Sequence, residues 1–364
     1  MKSIINAEKF YGALKKAFLS SAKKSKIPGL MNAQISFQGS ECVVTCTDFN
    51  QWCQVTIPAC GDTFSFQLKN TKRTLTICNH YSGDLSVEYA ASGCDSQHGA
   101  LTFRCGGKAC TQEAAEADDI LNPPEIKETH TYQADASTLF QRYKRIKYAL
   151  SDNSARPTSQ CVQFQDSRMV AVDGYRLAVS CDPALQVEGV FFIPPGAMNL
   201  LPVLGNTSCT LLVGEKHIAF AANGVRIVTR VPKGDGLNVD AVIPKTSQEE
   251  HTVNVDSFIH DLQYLSEFIT APESQAVRFA EKSMSLSTPV GQCSVALELQ
   301  QPLKTVCGFN GRYMLESLKQ FSAKKAHSIT MGLSSPIAPI LLTDGDEDLA
   351  MVLPMRLKDD ASAA

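Results

Sequence analysis

Two short segments of this chain resemble each other: TDFNQW at positions 47–52, and VDGYRL at positions 172–177, which begins 125 residues later. Each lies among runs in which apolar and polar residues alternate, the pattern of half-buried β-strands. In the second segment Asp173-Gly174 is also a turn signal, because glycine tolerates the backbone angles of tight turns. The two segments indicate that one structural unit occurs more than once along the chain.

The predicted helices recur at a similar spacing. Amphipathic patterns predict long helices that begin near residues 7, 135 and 256, and shorter ones that begin near 70, 195 and 311. The first long helix is predicted to run from Ala7 to about Ala22. Three tandem copies of one helix–strands–helix–strands unit explain these positions better than one large fold. We expect each copy to be an α+β domain with its two helices packed on antiparallel sheet.

Two segments of different composition separate the copies. Residues 113–128 carry six acidic residues, one lysine and a Pro-Pro pair, which is typical of a linker. A second linker is predicted near residues 244–247. The predicted domains are therefore residues 1–125, 129–246 and 251–364.

The composition excludes several classes of protein. The chain has 364 residues, 44% of them apolar and 20% charged, which argues against disorder, collagen and coiled coil. No apolar run approaches the roughly 18 residues of a membrane-spanning helix, and the first residues lack the apolar region of a secretory signal. The 13 cysteines include no Cys-x-x-Cys pair, so we expect a cytoplasmic protein with reduced, mostly buried thiols.

The charges are segregated although they nearly cancel. The chain has 34 Lys and Arg against 37 Asp and Glu, a formal net charge of −3. Acidic residues gather in 113–128 and 344–360, whereas basic residues favour the helices. A single basic helix face is usually only solvated, but the same bias on several helices favours a surface that holds phosphates through charge alone. The candidates are Lys9, Lys16, Lys23, Lys69, Lys72, Arg73, Lys144, Arg145, Arg312 and Lys319.

Common catalytic motifs are absent from the sequence. There is no G-x-x-x-x-G-K-[ST] phosphate loop, no G-x-G-x-x-G after a strand, no H-E-x-x-H and no G-x-S-x-G. The seven histidines show no paired spacing of metal ligands. We therefore expect no cofactor, no metal site and no enzymatic activity, while a catalytic site built from distant Cys and His residues stays an alternative.

Two longer motifs are more specific: VAVDGYRLAV (170–179), and MVLPMRL (351–357) near the C-terminus. FNGRYML (309–315), IPGL (27–30) and Thr47-Asp48 accompany them. With the threefold repeat, these motifs resemble the bacterial DNA sliding clamp, the β subunit of DNA polymerase III. The matches keep the family's order over nearly the whole chain.

The resemblance implies a fold and a function. Its members form a closed ring from two three-domain protomers arranged head to tail, with helices lining the hole and sheets outside. The ring encircles duplex DNA without reading its sequence and tethers the catalytic subunit of DNA polymerase III, the clamp loader and other proteins that carry clamp-binding motifs. It is a non-catalytic processivity factor. A divergent clamp-like ring that serves a repair pathway or an accessory replicon is the nearest alternative.

The resemblance also implies a pocket for partner peptides between the middle and C-terminal domains. Of its matching positions, the side chains of Val172, Leu177, Val242 and Val352 would supply apolar walls, and Met355 would adapt to varied ligands. Segment 236–241 departs from the family, which leaves one wall unassigned. The matching positions are Val172, Gly174, Tyr175, Arg176, Leu177, Val242, Ile337, Pro339, Val352, Leu353, Pro354, Met355, Arg356 and Leu357.

Further positions follow from the resemblance. Lys24, Lys72 or Arg73, and Arg156 match basic positions that face DNA in the family. Phe103, expected on an edge strand, and Ile269 are candidates for the dimer interface. Residues 358–364 extend beyond the family's usual end, and this acidic tail is predicted to lie near the pocket and weaken the binding of acidic peptides.

Overall fold

The computed structural model describes residues 1–91, 98–153, 155–269, 276–288, 291–345 and 348–357. The chain folds into two compact units. The first unit comprises Met1–Phe140 and Gly196–Val231, and the second comprises Gln141–Pro195 and Pro232–Ala364. The predicted acidic tail, residues 358–364, lies outside the described residues.

Seven α-helices occur in the described ranges, and several continue into short 3-10 turns. They are α1 (Ala7–Ala17), α2 (Thr71–Cys78), α3 (Ala136–Ile146), α4 (Pro195–Leu200), α5 (Val239–Val242), α6 (Val255–Ser266) and α7 (Gly311–Ser322). The strands to Asp135 are β1 (Lys2–Asn6), β2 (Gln34–Gln38), β3 (Glu41–Thr47), β4 (Gln51–Gly61), β5 (Thr63–Leu68), β6 (Asp84–Ala91), β7 (His98–Cys105), β8 (Lys108–Ala115) and β9 (Glu128–Asp135).

The remaining strands follow in three groups along the chain. The first group is β10 (Val162–Asp166), β11 (Arg168–Val172), β12 (Arg176–Cys181) and β13 (Val187–Ile193). The second is β14 (Ser208–Gly214), β15 (His217–Ala222) and β16 (Val225–Arg230). The third is β17 (Glu249–Asn254), β18 (Ala276–Glu281), β19 (Ser283–Thr288), β20 (Gly291–Ala296), β21 (Leu303–Asn310), β22 (Ser328–Leu333), β23 (Ile340–Thr343), β24 (Asp348–Val352) and β25 (Pro354–Met355).

The six predicted helices are confirmed, and polar side chains at their N-termini explain where several begin. Asn6, Asn70, Asn254 and Asn310 each accept a hydrogen bond from a backbone N–H of the first helical turn. Asp135 does the same for α3, at 2.7 Å from the Thr138 nitrogen. Such caps satisfy N–H groups that have no partner within the helix.

The first helix ends earlier than its pattern predicts. The α-helix stops at Ala17 and a 3-10 turn continues only to Ser20. The buried Ser20 hydroxyl lies 2.8 Å from both the Ala17 and the Cys46 carbonyl oxygens, which ties the end of the helix to strand β3. Lys23 therefore lies beyond the helix and does not share a helical stripe with Lys9 and Lys16.

A twelve-stranded antiparallel sheet forms the first unit. Its order is β1-β6-β7-β8-β5-β2-β3-β4-β16-β15-β14-β9, and β1 also pairs with the end of β4 at Ser3↔Gly61. The start of the same long strand pairs with β16 at Val55↔Val225. Strand β4 thus joins strands that precede residue 125 to strands that follow residue 129, across the first predicted domain boundary.

Two antiparallel sheets form the second unit. One has the order β13-β10-β11-β12-β24-β23-β22-β17, and the other has the order β20-β19-β18-β21-β25. Strand β12 pairs with β24, with Leu177 opposite Met351. This pairing crosses the second predicted domain boundary.

Each unit has an apolar core under its helices. In the first unit Phe10 of α1 packs on Phe103, with ring centroids 6.1 Å apart. In the second unit Phe258 of α6 packs on Phe279, which in turn contacts Phe309. Helices α1 and α6 thus each bury one face against sheet, as their amphipathic patterns predict.

The two dimer-interface candidates have different environments. Phe103 is fully buried on β7, which lies between β6 and β8, so the prediction of an edge strand is wrong. The alternation of apolar residues identified a strand but could not show which strands flank it. Ile269 is partly buried and packs against the apolar core of the second unit.

A buried carboxylate gives the second unit a specific dependence on pH. Glu249 accepts hydrogen bonds from the backbone N–H groups of Lys304 (2.8 Å) and Thr305 (2.7 Å) and lies 3.1 Å from the His251 ring. Burial alone would raise the pKa of Glu249, but these hydrogen bonds outweigh it and set the pKa at about 2. Above the ordinary carboxyl pKa, the ionised Glu249 side chain stabilises the folded state. This stabilisation is lost as the pH falls toward 2.

We expect Glu249→Gln to lower the free energy of unfolding by about 1 to 3 kcal/mol at pH 7, because the amide replaces a charged acceptor. The difference from the unsubstituted chain should shrink between pH 4.5 and 2. Urea unfolding at several pH values measures both effects. The exposed neighbour Glu250 provides the control, and an equal effect of Glu250→Gln would contradict the assignment.

Candidate functional site

The segment 173–176 is a tight turn held by one carboxylate. Asp173 Oδ1 accepts hydrogen bonds from the backbone nitrogens of Tyr175 (2.8 Å) and Arg176 (3.0 Å). Gly174 has φ +93°, a conformation that favours glycine because it lacks a Cβ. Two neighbouring side chains then take opposite environments: Tyr175 is 62% exposed, whereas Arg176 is buried.

Arg176 holds the turn to two other elements. Its Nε donates to Asp173 Oδ2 (2.9 Å), its Nη2 donates to the Tyr148 carbonyl (2.6 Å), and its Nη1 pairs with Glu316. The guanidinium also lies 4.4 Å from the centre of the Tyr313 ring. Burial alone would lower the Arg176 pKa, but the pairing with Glu316 and Asp173 raises it overall. Arg176 is therefore a fixed part of the site.

A cavity of about 480 Å³ lies beside this arginine. The Tyr175 and Tyr313 rings stack at its edge with centroids 6.1 Å apart. Arg312, one of the basic candidates, also lines the cavity, and its Nε lies 3.1 Å from Glu316. The cavity thus offers aromatic surface and charges of both signs. Its lining residues are Lys147, Tyr148, Leu150, Ser151, Asp152, Asn153, Asp173, Tyr175, Arg176, Arg312, Tyr313 and Glu316.

An apolar cluster begins at the next residue of the same strand, Leu177. Its partly buried members include Val172, Leu237 and Ile243. The structure thus brings together Val172 and Leu177 as the sequence predicts, and it adds residues that the motifs did not indicate. The buried members of the cluster are Val170, Leu177, Val179, Val239, Leu341 and Met351.

Val352 does not belong to this cluster. It is fully buried in the large apolar core of the second unit, together with Ile340 and Leu342. Its neighbour Met351 points to the opposite face of strand β24 and packs with Leu177. Successive side chains of a strand alternate between faces, so the choice between residues 351 and 352 depends on the register of β24, which the sequence motif did not fix.

The divergent segment 236–241 is well anchored. The side-chain amide of Gln163 forms two hydrogen bonds with the Leu237 backbone. Its Oε1 accepts from the Leu237 nitrogen (2.8 Å), and its Nε2 donates to the Leu237 carbonyl (2.9 Å). Arg168 forms two contacts with Asp240, at 2.7 and 3.2 Å. These bonds position α5 so that Val239 is fully buried in the apolar cluster. This segment therefore forms one side of the apolar cluster.

The other predicted pocket residues lie near the surface. Val242 is 37% exposed and Ile337 86% exposed, on the segments that flank Val239 and Leu341. Leu353 is 36% exposed, and Pro339 and Arg356 are also accessible. Three residues of the C-terminal motif contact strand β21: Pro354 and Met355 pair with it, and the Leu357 side chain lies over Gly308.

Most of the basic candidates are exposed, and at least Lys69, Arg312 and Arg145 form ion pairs. Lys69 pairs with Glu113 at 2.6 Å on the surface, and Arg312 pairs with Glu316 as described above. Arg145 is only 15% exposed and lies 3.0 Å from Asp348, so the prediction that it faces DNA is wrong. The exposed candidates are Lys9, Lys16, Lys23, Lys24, Lys69, Lys72, Arg73, Lys144, Arg156, Arg312 and Lys319.

Arg145 belongs to a buried charged cluster in the second unit. Its Nη2 lies 3.1 Å from the Ser180 hydroxyl, which itself donates to Asp348 Oδ1 at 2.6 Å. Lys324 approaches Asp348 Oδ2 at 3.7 Å and pairs with Asp344. The Asp348 side chain is fully buried. A carboxylate so placed needs both cationic neighbours to offset its loss of water.

Comparisons with known proteins place this geometry in a known fold. No family model matches the chain. The chain is 22% identical over 378 residues to the beta sliding clamp of Chlamydia muridarum, covering 99% of this chain and 100% of the relative. It is 23% identical to the beta sliding clamp of Bacillus subtilis over 70% of this chain and 72% of that one. The crystal structure of the DNA polymerase sliding clamp from Bacillus subtilis matches with a TM-score of 0.84 at 19% identity, covering 98% and 99% of the two chains.

The chain has the sliding-clamp fold. The α+β architecture, predicted from the helix and strand patterns, and the resemblance to the bacterial sliding clamps, predicted from motifs, are confirmed by these matches. Among the described residues, no helix is long and apolar enough to cross a bilayer.

Proposed function

We propose that this chain is a DNA sliding clamp: a non-catalytic, cytoplasmic processivity factor that closes into a homodimeric ring around duplex DNA. The observation that carries the proposal is the match of 98% of the chain to a solved sliding clamp. The three-domain division into residues 1–125, 129–246 and 251–364 is part of this proposal. In such a ring, retention on DNA comes from topology more than from affinity.

The contacts with DNA would be electrostatic. Lys9 and Lys16 on α1, Lys24 after it, and Lys72 and Arg73 on α2 are exposed in the first unit. Lys and Arg hold phosphates without reading bases, which suits a ring that must slide over any sequence. Lys144, Arg156 and Lys319 are the corresponding candidates in the second unit. Because Arg145 is buried in an ion pair, we leave it out of the DNA-facing set.

Two open sheet edges would form the dimer. Strand β8 pairs with β7 along its length but with β5 only at Ala114 and Ala115, so residues 108–112 have one unpaired edge among the described residues. Strand β20 pairs only with β19 in the described ranges. Exposed edges invite pairing with another strand. We assign the interface to these edges and to Ile269, in place of Phe103.

The partner-peptide pocket would be the apolar cluster together with the adjoining 480 Å³ cavity. Leu177, Val239 and Met351 would form its apolar floor, while Tyr175 and the C-terminal motif 353–357 would line its mouth. Its ligands would be short peptides of the DNA polymerase III catalytic subunit, the clamp loader and other proteins with clamp-binding motifs. Aromatic and methionine side chains suit a pocket that binds several partners.

A sliding assay tests the ring directly. The protein is loaded by its clamp loader onto a nicked circular plasmid, the complex is isolated, and the plasmid is then cut once. We expect the protein to stay on the circle and to leave the linear DNA within the time of the assay, because a closed ring can slide off an end. Protein that stays on the linear DNA would contradict encirclement, and a monomeric mass at micromolar concentration would contradict closure.

A further inference from the structure

A second cavity, in the first unit, lies at the first of the two repeated segments. Its volume is about 550 Å³, and its lining includes Phe49, Trp52, Ile120, Lys216, His217 and Arg230. The apolar part is a small cluster in which Trp52 packs with Ala219 and Val228. Neither the family motifs nor the proposed function assigns a role to this cavity.

The turn beside this cavity has the same hydrogen bonds as the turn of the partner-peptide pocket. Asp48 Oδ1 accepts from the backbone nitrogens of Asn50 and Gln51, both at 2.9 Å, just as Asp173 accepts from Tyr175 and Arg176. In both turns the nitrogen of the aspartate also lies 3.3 Å from the carbonyl oxygen three residues later. The two turns are therefore copies of one structure.

The strands that follow the turns are paired in the same register. Trp52 lies opposite Val228, as Leu177 lies opposite Met351. The Arg230 nitrogen donates to the Asn50 carbonyl at 2.9 Å, and the Leu353 nitrogen donates to the Tyr175 carbonyl at the same distance. Trp52 thus occupies the place of Leu177, and Arg230 occupies the place of Leu353.

The residues that differ between the two sites give the first-unit cavity an aromatic and basic character. Trp52 replaces a leucine, and its ring faces the edge of His217 (6.2 Å) and the guanidinium of Arg230 (5.7 Å). Phe49 has φ +70° at the position that Gly174 occupies in the other copy. A positive φ is unfavourable for a residue with a Cβ, so phenylalanine at position 49 strains the backbone where glycine would not.

One buried hydrogen-bond donor lacks an acceptor. Trp52 is 3% exposed, and its indole Nε1–H has no partner among the described residues. Buried donors are nearly always satisfied. Burial and the positive charges of Arg230 and Lys216 lower the pKa of His217, which favours the neutral ring. The positive charge at the cavity therefore comes from Arg230 and Lys216, which are both exposed.

We propose that this cavity docks an extended peptide of a partner protein in which an aromatic or large aliphatic side chain is flanked by carboxylates. The apolar side chain would pack on Trp52 and Phe49, a peptide carbonyl or carboxylate would accept from the indole N–H, and the flanking acids would pair with Arg230 and Lys216. The choice of a peptide as ligand rests on the proposed function of the equivalent pocket.

Trp52 is the chain's only tryptophan, so its emission reports on this cavity alone. The probe is the peptide acetyl-Gly-Asp-Phe-Asp-Gly-amide, titrated into the full-length protein. We expect a saturable change in emission, at least ten times weaker binding in Arg230→Glu and in Lys216→Glu, and unchanged binding in the double variant Met355→Ala, Leu357→Ala of the other pocket. Both cavity substitutions change exposed side chains, so the fold should persist.

Three results would overturn the proposal. One is the absence of a saturable change at millimolar peptide. Another is equal binding of the charge-reversed peptide acetyl-Gly-Lys-Phe-Lys-Gly-amide. The third is tighter binding of a thymidine oligonucleotide than of the acidic peptide. Since the titration needs no DNA, loader or dimer, failure of the sliding assay and failure of this docking site are separate outcomes.

Discussion

Replacing Asp348 with alanine is expected to lower the free energy of unfolding of the second unit by about 3 to 5 kcal/mol. The fully buried carboxylate lies 3.0 Å from Arg145 Nε and 3.7 Å from Lys324 Nζ, and it accepts a hydrogen bond from Ser180. Without it, Arg145 loses a counter-charge in a place with little water. The free energy of unfolding of a typical domain is roughly 5 to 15 kcal/mol, so the expected loss is a large part of it.

The measurement has to report on the second unit. Trp52 lies in the first unit, so tryptophan emission is unsuitable. Circular dichroism during urea unfolding, together with amide hydrogen exchange in β12 and β24, follows the strands that the cluster joins. Glu41→Ala, which removes an exposed carboxylate from β3, serves as the control and should change stability by less than about 0.5 kcal/mol. Equal effects of the two substitutions would show that Asp348 is not held in a buried ion pair.

The sequence predicts the helices well because their signals are local. The apolar periodicity and the capping asparagines lie within a few residues of each helix start, as at Asn6 and Asn310. The strand pairings β4–β16 and β12–β24 join residues far apart in sequence. No pattern within either strand states which partner it will have, so the sheets that cross the predicted domain boundaries could not be foreseen.

The same distinction explains the site. The motif VDGYRL predicts the turn and the positions of Tyr175 and Leu177, because its aspartate and glycine act within four residues. Helical periodicity puts Arg145 on the non-core face of α3. The residue that forms its buried ion pair, Asp348, follows 203 positions later, so the local pattern does not show that Arg145 is buried. The equivalence of Trp52 and Leu177 was visible as a repeat, whereas the cavity beside Trp52 depends on Arg230 and His217, which belong to distant strands.

Replacing both Met355 and Leu357 with alanine is expected to weaken binding of the DNA polymerase III catalytic subunit by roughly 100-fold or more, if the pocket binds partners as proposed. Met355 is partly exposed at the mouth of the pocket, and Leu357 lies over Gly308 next to it. The truncation removes apolar contact area, while the backbone pairing of Met355 with Gly308 is kept. Surface plasmon resonance with the polymerase subunit of the same cell gives the dissociation constant of each variant.

The control for this experiment removes similar side chains elsewhere. Ile4 and Leu19 are 46% and 63% exposed in the first unit, and their double alanine variant should bind the polymerase as the unsubstituted chain does. Sedimentation at the same concentrations should give a dimer for all three proteins, because neither pair lies on the β8 or β20 edge. A pocket variant that binds normally would exclude the C-terminal motif from the site. A pocket variant that sediments as a monomer would instead place Met355 and Leu357 in the core or at the dimer interface.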